Sequence, residues 1–145
     1  MISMPHPLSY PVACMLVARA NLALEQSDTS TWLSYFTADA VLSMVDSKGE
    51  ERVYRGKRSM ATYADHRRER IGGFAHLWMN SPIVEGDATQ LSVRSLIVAT
   101  VIGTHPVNFA TGLCEDKLVR EDGAWLIAER RLRLDQTGPG REQVR

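Results

Sequence analysis

Hydrophobic positions near the start of the chain recur at the spacing of helices. Residues 11–26 predict a helix whose apolar side chains lie on nearly all of its faces, so we expect other parts of the protein to cover more than one face. Pro11 suits its first turn, because the missing N–H of proline would lack a partner there in any case. Asp28 then predicts the N-cap of a second short helix, since its carboxylate can accept hydrogen bonds from N–H groups two or three residues on.

Strand patterns and turn residues dominate the remainder of the chain. Residues 40–45 and 52–55 predict a short hairpin around a Gly-containing turn. Residues 57–71 predict a third helix, which Gly72 and Gly73 end. Four long strands are then predicted over residues 74–87, 88–103, 106–121 and 123–135. Residues typical of tight turns separate them, so we expect neighbouring strands to pair antiparallel as a meander.

This order of elements predicts the fold class. Helices followed by a run of strands favour an α+β fold, with three helices on one face of a curved mixed or antiparallel sheet that encloses a pocket. The 145 residues suit one domain over residues 1–145. We expect residues 1–9 and 137–145 to be flexible at its ends.

Composition and charge exclude several classes of function. Lys plus Arg and Asp plus Glu each number 17, so no net charge attracts nucleic acid or an acidic membrane. No apolar run is long enough to span a membrane, and the N-terminus lacks the basic region of a signal peptide, so we expect a cytoplasmic protein. Cys14 and Cys114 lack the spacing of a zinc site or a disulfide framework, and no metal is expected.

The last strand carries charges at regular spacing. Alternation places Trp125, Ile127 and Glu129 on one face, with Ala128 and Arg130 on the other. The segment ERRLRLD therefore supplies either inter-strand salt bridges or a contact with another copy of the chain. We expect a homo-oligomer, a dimer or a trimer, that assembles through the sheet.

Three segments in this order resemble the SnoaL-like branch of the NTF2-like superfamily, which includes scytalone dehydratase. They are ALEQSDTSTWLSYFTADAVLSM, HLWMNSPIVEGD and DKLVREDGAWLIAERRLRLD, and the resemblance covers residues 12–135. It implies a cone-shaped fold whose mouth opens between the helices and the sheet. Enzymes of this superfamily perform dehydration, isomerisation, cyclisation or epoxide opening, and the resemblance implies no cofactor.

A second resemblance points to a non-catalytic role. Residues 76–80 are similar to the His-Leu-x-x-Asn strand of the beta subunit of aromatic-ring-hydroxylating dioxygenases, and residues 134–137 are similar to its Leu-Asp-Gln segment. These subunits are mainly structural. Against this resemblance, the chain lacks the longer N-terminal arm and the extended C-terminal strand of such a subunit.

His76 is the first candidate for chemistry, because imidazole is the side chain that ordinarily titrates near neutral pH. In scytalone dehydratase-like enzymes a catalytic His begins the matching strand. Glu25 stands where catalytic family members usually carry an Asp that pairs with this His, and Asp28 is the alternative partner. The alternatives are a buried structural His76, a solvated Glu25 and an Asp28 that acts only as a helix cap.

Further residues are candidates for contacts with a substrate. Trp78 and Asn80 share a strand face with His76, so we expect a stacking wall and a hydrogen-bonding group beside it. The resemblance also places Met44 and Cys114 in the pocket, where scytalone dehydratase has more polar side chains. Tyr63 and Phe109 are candidates for the mouth. The alternative for each aromatic residue in this set is that it packs in the hydrophobic core and contacts no substrate.

Two hypotheses follow from these residues. The first is a cofactor-independent lyase or isomerase that acts on a small hydrophobic or aromatic metabolite, with His76 as general base or acid in a water-poor hollow. The second is a structural partner, like the dioxygenase beta subunit, or a small-ligand binding module. A cone filled with side chains would favour the second hypothesis.

Overall fold

A computed structural model describes residues 9–71, 75–101 and 107–135 of the chain. Among these residues the elements follow the order α1 (Ser9–Glu25), α2 (Thr29–Ser34), β1 (Phe36–Val45), β2 (Glu51–Arg55), α3 (Gly56–Ile71), β3 (Ala75–Gly86), β4 (Gln90–Val101), β5 (Val107–Glu121) and β6 (Ala124–Leu134). Every predicted element is present, and α1 starts two residues before Pro11. The predicted helix stop at Gly72 and Gly73 and the predicted turn at residues 103–106 lie outside the described residues.

The six described strands form one mixed sheet in the order β2-β1-β6-β5-β4-β3. The predicted hairpin β1–β2 and the predicted meander from β3 to β6 are both antiparallel, as expected. The pair β1–β6 is parallel and joins the two halves of the sheet. Strand β3 is the edge of the described sheet on the side opposite β2.

The helices cover one face of the sheet, which confirms the predicted α+β class. Along β4 the odd-numbered side chains from Leu91 to Ile97 are buried against the helices, while Arg94 and Leu96 are exposed. Trp32 and Phe36 meet edge to face at 5.1 Å between ring centroids, inside the layer between helices and sheet. Burial of such rings is a large apolar contribution to stability.

One strand boundary and the burial of one helix differ from the sequence expectation. Strand β1 starts at Phe36 and not at residue 40, with a register shift against β6 between Phe36 and Val41. The expectation that α1 is covered on more than one face is wrong for part of the helix, since Met15 and Leu22 are about half exposed in the described structure. Hydrophobicity all round a helix does not by itself show which residues a neighbour covers.

A β-bulge in β6 corrects the predicted alternation of the last strand. Lys117 pairs with Glu129 and Leu118 pairs with Ile127, so Ala128 is the extra residue between them. The bulge shifts the side-chain alternation by one position. As a result Ile127 and Arg130 both face the core, although strict alternation places them on opposite faces.

Candidate functional site

The carboxylate of Glu25 joins the end of α1 to the edge of the sheet. Its Oε2 lies 2.9 Å from Nδ1 of His76, and its Oε1 accepts the backbone N–H of Leu77 at 2.6 Å. Both contacts reach β3 at the free edge, where a strand N–H would otherwise face solvent. Glu25 is the last residue of α1, and the chain turns sharply after it at Ser27, whose φ is 58°.

The two contacts fix the carboxylate beside the imidazole. Glu25 has a side chain that is only 17% exposed, and both of its oxygens have partners on β3. A carboxylate can only accept, so the neutral imidazole donates from Nδ1–H. Nε2 of His76 then carries the free lone pair, which is the arrangement of a general base.

The outward face of β3 presents His76 to solvent. The His76 side chain is 46% exposed, and Trp78 meets it edge to face at 5.9 Å between ring centroids. Asn80 is exposed further along the same face. The three residues share a face as predicted, but Leu77 and Met79 are the ones that turn toward the core. The structure therefore places the imidazole at a half-open surface and not in the expected water-poor hollow.

Asp28 has a different role from Glu25. Its side chain accepts the backbone N–H of Thr31 at 3.2 Å and so caps α2, as predicted. Hydrogen bonding to Thr31 lowers the pKa of the Asp28 carboxyl. Of the two acids predicted as partners of His76, the structure brings Glu25 to the imidazole.

The remaining predicted contact residues lie in or near the core. Met44, Tyr63 and Cys114 are buried, and the Tyr63 ring packs against Trp32 at 6.1 Å between centroids. Their contact with a substrate stays a prediction. The side chain of Phe109 lies outside the part of the chain that the structure describes.

A buried polar network was missed by sequence reasoning. The Arg130 guanidinium binds Asp116 in a bidentate pair, with Nε–Oδ1 at 2.7 Å and Nη2–Oδ2 at 3.0 Å. Nη1 of Arg130 also donates to Oδ1 of Asn21 on α1 at 2.7 Å. The sequence of β5 contains a signal for this network. Asp116 lies between Cys114 and Leu118 on one apolar face of the strand, and a carboxylate on a buried face requires a partner.

Burial and charge act in opposite directions within this network. Burial by itself lowers the pKa of the Arg130 guanidinium, but the Asp116 carboxylate outweighs it, and the pKa is raised. Burial, followed by the charge of Asp116, raises the pKa of the Cys114 thiol. Arg130 therefore stays charged and Cys114 stays a neutral thiol, which makes Cys114 a poor nucleophile.

The described residues offer neither a metal site nor a membrane-spanning helix. Within the described ranges, no group of three or more His, Cys, Asp or Glu side chains is placed to hold a metal ion. None of the described helices has the length and apolar character needed to cross a membrane.

The architecture places the protein in a class of small α+β domains with helices packed on one face of a mixed sheet. The sequence profile of the SnoaL-like domain matches residues 14–131, and the chain belongs to this family. The resemblance seen in the sequence is thereby confirmed. No curated protein matches the chain at a significant level.

Solved structures similar to this chain share its fold. A protein of unknown function with a cystatin-like fold from Nostoc punctiforme has a TM-score of 0.81 at 15% identity, covering 94% of this chain and 98% of the other. A protein of unknown function from Mycobacterium tuberculosis has a TM-score of 0.76 at 27% identity, covering 90% and 73%. A candidate scytalone dehydratase from Novosphingobium aromaticivorans has a TM-score of 0.70 at 18% identity, covering 90% and 87%.

Proposed function

We propose that this protein is a lyase or isomerase that transfers protons with His76 and acts on a small hydrophobic or aromatic molecule without a cofactor. The contact of the Glu25 carboxylate with Nδ1 of His76 at 2.9 Å carries this proposal. It leaves Nε2 free to accept a proton, and the carboxylate stabilises the imidazolium that then forms. Membership of the SnoaL-like family and similarity to a candidate scytalone dehydratase support the class of reaction.

The proposed step is a proton abstraction from carbon. Nε2 of His76 takes a proton from a carbon next to a carbonyl group, and Glu25 balances the new positive charge. In a lyase, the electron pair forms a C=C bond while the C–O bond on the neighbouring carbon breaks, and the imidazolium returns its proton to the leaving hydroxide as water. In an isomerase, the proton returns to a different carbon of the same molecule.

Trp78 is the proposed platform for the substrate. The residue is 54% exposed, and its ring stands edge to face with the imidazole at 5.9 Å between centroids. A flat apolar molecule stacked on this ring would lie next to the imidazole and would also remove water from it. Asn80, two residues further along the face, is the proposed hydrogen-bonding group.

A general probe of base strength tests this proposal. The base-catalysed ring opening of 5-nitrobenzisoxazole breaks a C–H and an N–O bond and releases a coloured phenolate, so it can be followed by absorbance. We expect saturable turnover by the wild type, a loss of about 100-fold or more in His76→Gln, and an intermediate loss in Glu25→Gln.

A matched control separates this site from surface histidines in general. His66 is exposed on α3, and His66→Gln should retain the wild-type rate. The proposal is contradicted if the wild type shows no saturable turnover, or if His76→Gln is as active as His66→Gln.

Assembly through the sheet is the second proposal, and an apolar patch on the outer face supports it. Ile83 and Leu96 lie on neighbouring strands of the sheet and are each more than half exposed. A lone exposed apolar residue is ordinary, but adjacent ones on neighbouring strands can form a contact surface. We propose a second copy of the chain as the occupant, because Arg133 and Glu115 on the same side of the sheet offer both signs of charge.

Light scattering tests this assembly. The wild type should have a multiple of the 16.2 kDa chain mass, and Leu96→Lys should shift the population toward the monomer. A monomeric wild type contradicts the assembly and leaves the chemistry of His76 untouched.

A further inference from the structure

Helix α1 contacts the edge strand β3 at two points that lie one helical turn apart. Nδ2 of Asn21 donates to Sδ of Met79 at 2.8 Å. One turn later, the Glu25 carboxylate contacts His76 and Leu77. Four residues of helix advance by about 6 Å, and two residues of strand advance by about 6.7 Å. The two contacts therefore match in spacing, and Asn21 and Glu25 face the same strand.

Asn21 is also bonded to the centre of the sheet. Nη1 of Arg130 donates to its Oδ1 at 2.7 Å, and two further hydrogen bonds hold the guanidinium to the Asp116 carboxylate. Because Arg130 and Asp116 are buried and form a planar bidentate pair, the guanidinium has a fixed orientation, and Nη1 points to one place on α1. The strands β5 and β6 thereby set where this turn of the helix lies.

The hydrogen bond from Arg130 is the stronger of the two that hold Asn21. A guanidinium only donates, so Oδ1 of Asn21 faces Arg130 and the amide nitrogen faces Met79. A thioether is a weak acceptor, whereas a charged donor forms a hydrogen bond about twice as strong as a neutral one. We infer that Arg130, and not Met79, determines the position of Asn21.

The position of the Glu25 carboxylate depends on this turn of α1. Glu25 is the last residue of the helix, and helix ends fray unless something holds them. Asn21 lies four residues earlier on the same face, so it is the neighbour of Glu25 on the helix surface. A displacement of the helix at Asn21 is therefore carried to the carboxylate.

We propose that Asn21 is a positioning residue for the acid–imidazole pair. Its hydrogen bond with Arg130 holds the last turn of α1 where the Glu25 carboxylate reaches β3. Asn21 acts through Glu25 and not on the imidazole itself. The consequence for catalysis rests on the proposed function, in which a displacement of about 1 Å can cost about 100-fold in rate.

The Leu77 amide reports the position of the Glu25 carboxylate without any need for turnover. A hydrogen bond of 2.6 Å to a carboxylate moves an amide proton downfield in the NMR spectrum and slows its exchange with solvent. Asn21→Leu keeps the approximate size of the side chain and removes the acceptor for Arg130. We expect the Leu77 amide to lose its downfield shift and to exchange about tenfold faster. Neutral His76 should also lose its preference for a proton on Nδ1.

Two matched variants separate positioning from a general loss of stability. Asn21→Asp keeps an oxygen acceptor for Arg130, so it should retain the wild-type Leu77 shift and His76 tautomer. Leu22→Gln changes the next residue of α1, which is more than half exposed, and should leave both unchanged. Amides of the paired strands β5 and β6 report global stability. A merely structural role of Asn21 would speed their exchange and leave the Leu77 proton shift unchanged.

The shift of the Leu77 amide proton decides the outcome. An unchanged shift in Asn21→Leu contradicts the proposal, and so does an equal loss of the shift in Asn21→Asp. If circular dichroism shows that Asn21→Leu is unfolded, Asn21→Ala removes the same acceptor without added bulk, and the same losses are expected.

Turnover then tests the consequence for catalysis. In the ring opening of 5-nitrobenzisoxazole, we expect Asn21→Leu to lower kcat about tenfold and Asn21→Asp to retain most of it. A wild type without turnover contradicts the proposed function, and the measurements on Leu77 still decide whether Asn21 positions Glu25.

Discussion

Replacing Arg130 by Met should destabilise the protein more than any change to its surface charges. Arg130 and Asp116 have side chains that are 2% and 1% exposed, and their contact is bidentate. Met fills a similar volume but leaves the Asp116 carboxylate buried without its partner and Asn21 without its donor. Removing one member of a buried pair costs about 3–5 kcal/mol.

This cost is large against the total stability of a domain. A typical free energy of unfolding is about 5–15 kcal/mol, and for a chain of this length each kcal/mol corresponds to about 2–4 °C in Tm. We therefore expect Arg130→Met to lower Tm by about 10 °C. Thermal denaturation and urea denaturation, each followed by circular dichroism, measure the change.

Two controls test the physical reason for this loss. The double variant Arg130→Met/Asp116→Leu removes both charges and should recover most of the stability. Lys117→Met breaks the exposed pair with Glu129, whose side chains are 70% and 44% exposed, and should cost about 1 kcal/mol or less. An Arg130→Met variant that loses no more stability than Lys117→Met would contradict this physical reason, and so would a double variant that is no more stable than Arg130→Met.

Three further predictions follow from other parts of the molecule. A thiol reagent should modify one cysteine in the native protein and both after unfolding, since Cys114 is buried and its thiol pKa is raised; modification of both in the native state contradicts this. Hydrogen bonds from Thr89 and Gln90 lower the pKa of Asp87, so the charged carboxylate stabilises the fold above pH 3.8, and this stabilisation is lost as the pH falls through the lower pKa of the folded state. The Tm of the wild type should therefore exceed that of Asp87→Asn by an amount that shrinks on acidification, and a difference independent of pH contradicts this. Gly112→Ala should lower Tm, because the added Cβ would collide with the backbone carbonyl of Arg133 on β6, and an unchanged Tm contradicts the close approach.

Much of the fold could be predicted from local patterns in the sequence. The antiparallel pairs follow from neighbouring strands joined by turn residues, and the cap at Asp28 follows from its position before a short helix. The parallel pair β1–β6 has no such local signal, because its strands are far apart along the chain. The bulge at Ala128 also has no clear signal, and it reverses the face on which Arg130 lies.

The candidate site could be predicted in part. The resemblance supplied Glu25 as the partner of His76, two residues that are 51 positions apart in sequence. Exposure of the imidazole was not predictable, because it depends on which face of β3 the helices cover. The role of Asn21 was equally hidden, since its partners Arg130 and Met79 come from distant strands.

The most direct test of the acid–imidazole pair is to determine which nitrogen of His76 carries the proton. Nitrogen NMR of histidine-labelled protein distinguishes the two tautomers of a neutral imidazole in solution. The structure predicts that neutral His76 carries its proton on Nδ1 in the wild type and loses this preference in Glu25→Gln. A wild-type protein in which the proton resides on Nε2 would contradict the proposed chemistry, because Nε2 would then have no lone pair with which to accept a proton from a substrate.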